Sequence, residues 1–255
     1  MVALGAVVAT APLPFSLAQP GLTADVLGEN KGKPVITVGG AADKDASGKG
    51  SSGKDDGQLR MVTIAATAPD ATVRLPDLVR GWFREDRAAM PRDAVYPGGG
   101  STAEAEKYNK AEMKKSQDIA VKAALNELHR SPEDVDVRLR LADVGGPSAG
   151  LLFSLGIIDK LDGDGSGGGL TGGRTIAGTG TIDASGKVGA VGGVPLKTKA
   201  AKRDGASVFL VPKAECEDAK AGLPSGLRLI PAGSLHGAVD SLKALKEGGK
   251  VPSCP

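Results

Sequence analysis

The sequence predicts an α+β fold, and three observations carry that expectation. Short apolar runs with period-two alternation are interspersed with segments of helical period. The two kinds of element follow one another in mixed order, and no internal repeat is evident. Hydrophobic residues make up 40% of 255 residues, enough for a sizeable core, while aromatic residues are only 3%, so that core is aliphatic and alanine-rich.

The chain carries no charge through Ala24, and residues 1–11 are small and apolar before Pro12 and Pro14 interrupt them. That stretch is too short to span a bilayer. It reads as the remnant of a membrane anchor, or as a signal peptide without its basic region, with Ser16-Leu17-Ala18 as a small-residue cleavage site. The bland alternative is an apolar tail packed on the domain. Pro34-Val35-Ile36-Thr37-Val38 is a strand closed by Gly39-Gly40, and residues 41–58 are a Gly, Ser, Lys and Asp linker. Met61-Val62-Thr63-Ile64-Ala65 starts the main domain. Leu75 to Phe83 reads as a short helix. Ser101 and Glu104 form a capping box for a long helix running to about His129. Later come strands at Ser207–Val211 and Leu227–Ile230, and a closing helix with Leu235, Ala238, Val239, Leu242 and Leu245 at helical spacing. The expected organisation is a leader or anchor over 1–18, an N-terminal β-containing extension and linker over 19–56, a main domain over 57–248, and a tail over 249–255.

The chemistry concentrates between these elements. Val135, Val137, Leu139 and Leu141 alternate with Asp136, Arg138 and Arg140, which is a strand with one wet face. It runs into Asp143-Val144-Gly145-Gly146-Pro147-Ser148-Ala149-Gly150. Glycines permit a tight turn there, and Pro147 suits the first turn of a helix. Residues 151–158 are apolar nearly all round, so that helix is buried. Ser148 then lies at a helix N-terminus, where backbone N–H groups could form an oxyanion hole. A capping serine in a glycine-rich turn explains the same segment equally well.

A nucleophilic serine needs a base, and two candidates exist. Gly146-Pro147-Ser148-Ala149-Gly150 fits the nucleophile elbow of α/β-hydrolases, which would require a downstream histidine. Only His236 qualifies, in the closing helix. The other candidate is Lys197. Gly192-Gly193-Val194-Pro195 opens a helix in which Leu196, Ala200 and Ala201 define the inner face at 100° per residue. Lys197 falls within that arc, whereas Lys199 and Lys202 fall outside it. Burial lowers the pKa of a lysine, and a lysine tuned to about 7–8 can act as a general base. The alternative is an inward lysine that snorkels to the surface.

The blocks Asp143 to Leu161, Leu170-Thr171-Gly172-Gly173-Arg174-Thr175-Ile176-Ala177-Gly178-Thr179-Gly180-Thr181-Ile182, and Gly192 to Ala201 together resemble the Lon proteolytic domain. More narrowly, they resemble the membrane-anchored, ATPase-free Lon-like proteases of Gram-positive bacteria. The resemblance is specific over residues 57–201. It implies the Lon proteolytic domain fold, an α+β arrangement, with Ser148 as nucleophile, Lys197 as base, Thr179 contacting that lysine, and Gly146 and Pro147 supporting the serine. It implies a serine endopeptidase acting on protein or peptide substrates by a Ser-Lys dyad. With the apolar N-terminus, it places the peptidase outside the membrane, anchored or secreted, and it leaves room for a homo-oligomer.

Two departures limit the resemblance. Residues 128–134 run straight from the long helix into the strand before the serine, which leaves no room for the PDZ domain many relatives carry there. Gly48-Lys49-Gly50-Ser51-Ser52-Gly53-Lys54-Asp55 lacks the hydroxyl and the flanking elements of a P-loop, so ATP-independent action is expected. No cofactor is called for. Asp162-Gly163-Asp164-Gly165-Ser166-Gly167 imitates half a calcium loop, but Gly173 stands at the twelfth position, so the segment reads as a flexible insertion. A net charge of +2 with scattered basic residues argues against nucleic acid. Cys216 and Cys254 are the only cysteines, and an even pair in an exported chain suggests one disulfide. Three readings other than a Ser-Lys peptidase stay open: an esterase using His236, a non-catalytic envelope domain, and an adaptor that binds exported proteins without cutting them.

Overall fold

Strand β1, Phe15–Asp25, lies inside a six-stranded sheet, in a segment the sequence reading divided between a leader and an extension. The computed structural model describes residues 11–40, 57–98, 100–141 and 146–255. Most of the apolar N-terminal stretch, most of the 41–58 linker with its P-loop-like Gly48 to Asp55, and Asp143-Val144-Gly145 lie outside the described residues.

In chain order, β1 is followed by β2 (Glu29–Asn30), β3 (Lys33–Pro34), β4 (Ile36–Gly40) and β5 (Gln58–Ala66). Next come α1 (Leu75–Trp82), β6 (Ala88–Pro91), α2 (Arg92–Val95), α3 (Thr102–Glu127) and β7 (Val135–Leu139). The rest are α4 (Gly150–Leu161), β8 (Thr175–Gly178), β9 (Thr181–Ile182), β10 (Val188–Gly189), α5 (Val194–Arg203), β11 (Val208–Pro212), α6 (Cys216–Lys220), β12 (Arg228–Ala232) and α7 (Leu235–Lys246).

The main sheet runs β12-β11-β8-β5-β1-β6. Its first four strands are parallel, and β1 is antiparallel to both neighbours. This corrects the expected boundary at residue 18. Ser16, Leu17 and Ala18 are buried, and Ala18 pairs with Ala66 on one side and Ala88 on the other. Their apolar character serves an internal strand with neighbours on both sides, so cleavage after Ala18 would remove a third of β1. The 19–56 extension is likewise not separate, because β4 pairs along its length with β7.

Strand β11 has no wet face. Along β11, Val208 and Leu210 join one apolar cluster with α4 and α7, while Phe209 and Val211 join another with α5 and α6. Such double burial is why this strand reads as a continuous apolar run. In α4 every residue from Gly150 to Ile158 is buried, as its all-round apolar sequence requires. The long helix α3 begins with the expected capping box, Ser101 Oγ accepting from Glu104 N–H at 3.3 Å. The Asp162–Gly167 segment is more ordered than a flexible insertion. Asp164 accepts from Ser166 N–H at 2.8 Å and Gly168 N–H at 3.0 Å, and pairs with Lys246 of α7 at 2.5 Å. The Lys246 ammonium, foremost, holds its carboxyl far below the ordinary range.

Cys216, at the start of α6, is bonded to Cys254. The bridge ties the C-terminal tail to the second apolar cluster, where Cys216 is buried beside Val211 and Leu227.

Candidate active site

The helices packed in the two apolar clusters converge at the end of β8. From one side α4 is led in by the turn carrying Ser148, from the other comes α5 carrying Lys197, and Thr179 follows directly after β8 between them.

The turn around Ser148 is held by its carbonyls. Ser148 C=O accepts from Gly180 N–H at 2.9 Å and from Thr179 Oγ1–H at 3.2 Å. Pro147 C=O accepts from Ser116 Oγ of α3 at 3.0 Å, and Gly146 N–H donates to Asn109 C=O of α3 at 3.2 Å. Gly146 has φ of 90°, a conformation that favours glycine. Helix α4 starts at Gly150, so Pro147 and Ser148 lie in the turn before it, not in its first turn as expected. The difference matters for the oxyanion hole. Gly150 N–H points to Pro147 C=O and Leu151 N–H donates to Gly180 C=O, so these helix-end donors are committed within the protein.

Lys197 is positioned by the start of α5. Gly193 is the residue before the helix, with φ of 70°, and Pro195 sits in the first turn. Lys197 is only 3% exposed, packed on the inner face with Leu196, Ala200 and Ala201, and does not snorkel. Its ammonium donates to Thr179 Oγ1 at 3.1 Å. Thr179 therefore bridges the two residues, accepting from the lysine and donating to the serine's carbonyl. Burial pushes the lysine pKa down to about 8, and the carboxylate of Glu215 pushes weakly the other way. The loss of ammonium hydration dominates.

Ser148 and Lys197 line one cavity of about 370 Å³, together with Gly146, Pro147 and Thr181. Ile64 and Ala66 of β5, Met90 of β6, and Ala94 and Val95 of α2 give it an apolar wall. Val191 and Gly192 form the rim that leads into α5. The cavity thus combines a serine, a lysine with lowered pKa and an apolar surface, which suits attack on a carbonyl of an extended chain.

The residues singled out by sequence separate clearly. Ser148, Lys197, Thr179, Gly146 and Pro147 come together here. His236 does not. Its side chain is 71% exposed on α7, and its ring nitrogens face Glu127 at 2.7 Å and Asp240 at 3.3 Å. Glu127, then Asp240, raises its pKa. Cys216 and Cys254 form their bridge away from the cavity lining.

Sequence reasoning missed Ser116, Asn109 and Glu215. The first two act from α3, whose spacing marks only its apolar stripe. Glu215 follows β11, and both its carboxylate oxygens lie 3.1 Å from the N–H of Val191. It supports the rim and supplies the negative charge felt by Lys197. Replacing it with glutamine removes that charge, so the lysine pKa should fall further. The pH at which kcat/KM reaches half its plateau is expected to move down in Glu215→Gln, measured by initial rates across the pH range. An upward move would show that the charge does not act on Lys197.

Residues 111–234, just under half of the chain, match the family described as Lon protease (S16) C-terminal proteolytic domain. No curated protein matches the sequence.

Proposed function

We propose that this chain is a serine peptidase of the Lon protease family, as the match over residues 111–234 supports, and that it cleaves proteins with a Ser148–Lys197 dyad, without ATP, at the cell envelope. The observation that carries the dyad is the burial of Lys197 beside Thr179, in the cavity that Ser148 lines. A lysine with a pKa of about 8 is neutral in a useful fraction near neutrality.

The steps follow from that placement. Neutral Lys197 takes the proton of Ser148 Oγ as the oxygen attacks a peptide carbonyl. The N–H of Ser148 donates to the developing oxyanion, while the N–H groups of Gly150 and Leu151 are engaged within the protein. Protonated Lys197 gives its proton to the departing amine. It then takes one from the water that hydrolyses the acyl-enzyme and returns it to Ser148 Oγ as the acyl group leaves. Thr179 holds the ammonium during the charged stages and fixes the serine turn at the same time.

The envelope reading rests on the uncharged, apolar start of the chain and on the Cys216–Cys254 bridge, since disulfides persist in oxidising compartments. Among the described residues no helix is long and apolar enough to cross a membrane. Attachment would therefore use the N-terminal stretch.

The experiment is covalent labelling with a fluorophosphonate probe, followed by peptide mapping. Label is expected on Ser148, to be lost in Ser148→Ala, and to form at the same rate with or without ATP and magnesium. Label elsewhere would reject the nucleophile. Strong nucleotide stimulation of the purified chain would reject ATP-independent action.

A further inference from the structure

Helix α1 wears its apolar stripe on the outside. Leu75, Val79 and Trp82 stand at i, i+4 and i+7, one face of a helix at 100° per residue. A surface helix normally turns that face to the core. Here Trp82 is 85% exposed, Phe83 directly after the helix is 83% exposed, and Val79 and Leu75 are also exposed. The buried residue of α1 is Gly81, where an added Cβ would lie 3.0 Å from Leu17 of β1. The helix is thus docked by its small face and presents its large residues outward. In a chain with one tryptophan and four phenylalanines, two of those five adjoin here in the open.

The surroundings indicate what covers this face. The uncharged stretch of residues 1–11 leads into the fold beside the helix, since Leu13 N–H donates to Val73 C=O at 2.9 Å, two residues before α1 begins. Arg74, Arg80, Arg84 and Arg87 flank the stripe against Asp77, Glu85 and Asp86, a balance of +1 in which Arg80 pairs with Asp77 and Arg84 with Asp86 at the exposed surface. Aromatic rings with arginines beside them suit the headgroup level of a bilayer, where apolar bodies are buried and guanidinium groups meet phosphates.

We propose that α1 and Phe83 form a lipid-contact surface that seats the domain on a phospholipid bilayer. This rests on the envelope location proposed above and adds a second, folded point of attachment. A single weak membrane signal gives marginal, reversible attachment, and a second makes it stable. The surface also fixes orientation. The apolar wall of the active-site cavity includes Met90 and Val95 from the segment that follows α1. The cavity mouth would then be held at a set height above the lipid.

Trp82 is the only tryptophan, so its fluorescence reports this surface directly. The full chain is titrated with vesicles of phosphatidylcholine and phosphatidylglycerol. Emission is expected to move to shorter wavelength and to be quenched by brominated lipid chains. The Val79→Asp variant keeps the probe, lies outside the cavity lining, and should lose the shift while cleaving a soluble substrate at the parental rate. If the chain floats with vesicles while Trp82 emission stays unchanged, the envelope location stands and the α1 surface is refuted. If it neither floats nor shifts, both fall. A blue shift that grows with protein concentration without vesicles would identify a second copy as the occupant and overturn the lipid proposal.

Discussion

Lys197→Ala is expected to lose at least about a thousandfold in kcat/KM, the range that removal of a general base serving a nucleophile gives. The fold survives. The substitution takes away a buried cation and its one bond to Thr179, while Leu196, Ala200 and Ala201 keep α5 on the sheet. A desolvated ammonium contributes little net stability, so its loss is partly offset by relief of the burial penalty. Thr179 keeps its bond to Ser148 C=O, so the serine turn stays in place. Steady-state cleavage of an unfolded protein substrate measures the rate, and circular dichroism checks the fold. Retained activity in a folded variant would remove the lysine from the mechanism.

The second large effect is on stability. The Cys216–Cys254 bridge spans 38 residues, and restricting an unfolded loop of that size is worth about 4 kcal/mol in the chain-entropy account. Cys254→Ser is expected to lower the unfolding free energy by about that amount, read from urea denaturation of both proteins. The loss falls on a segment that matters to the site, because Glu215, which holds the Val191 rim, directly precedes Cys216. A change under about 1 kcal/mol would mean that the tail is held by packing, with Val251 against the core as the candidate.

Most of the site was legible because its chemistry is local. Gly146-Pro147-Ser148-Ala149-Gly150 is contiguous, and the inward direction of Lys197 follows from helix geometry once Gly193 and Pro195 mark the start of α5. The α+β class was legible from alternating periods. The buried strand β11 and the all-round apolar α4 were visible as apolar runs. What was not legible depends on long-range pairing. Nothing in Phe15–Asp25 announces that β5 and β6 will flank it, so an apolar internal strand imitated the end of a leader. Ser116 and Asn109 look like ordinary polar positions of a long helix until the turn before α4 lands on them. The start of α4 lies three residues beyond Pro147, because a proline that could open a helix here sits in the turn before it.

The pH dependence of kcat/KM, measured with a small peptide substrate in protein shown to stay folded across the range, tests the dyad most directly. The folded lysine has its pKa lowered from 10.5 to about 8, so it is protonated and inactive at low pH and becomes a base as pH rises. The account predicts that kcat/KM climbs through a single inflection near pH 8. An inflection near 10 would put Lys197 in water, and one near 6.5 that disappears in His236→Ala would give the reaction to the histidine; either contradicts a buried lysine base.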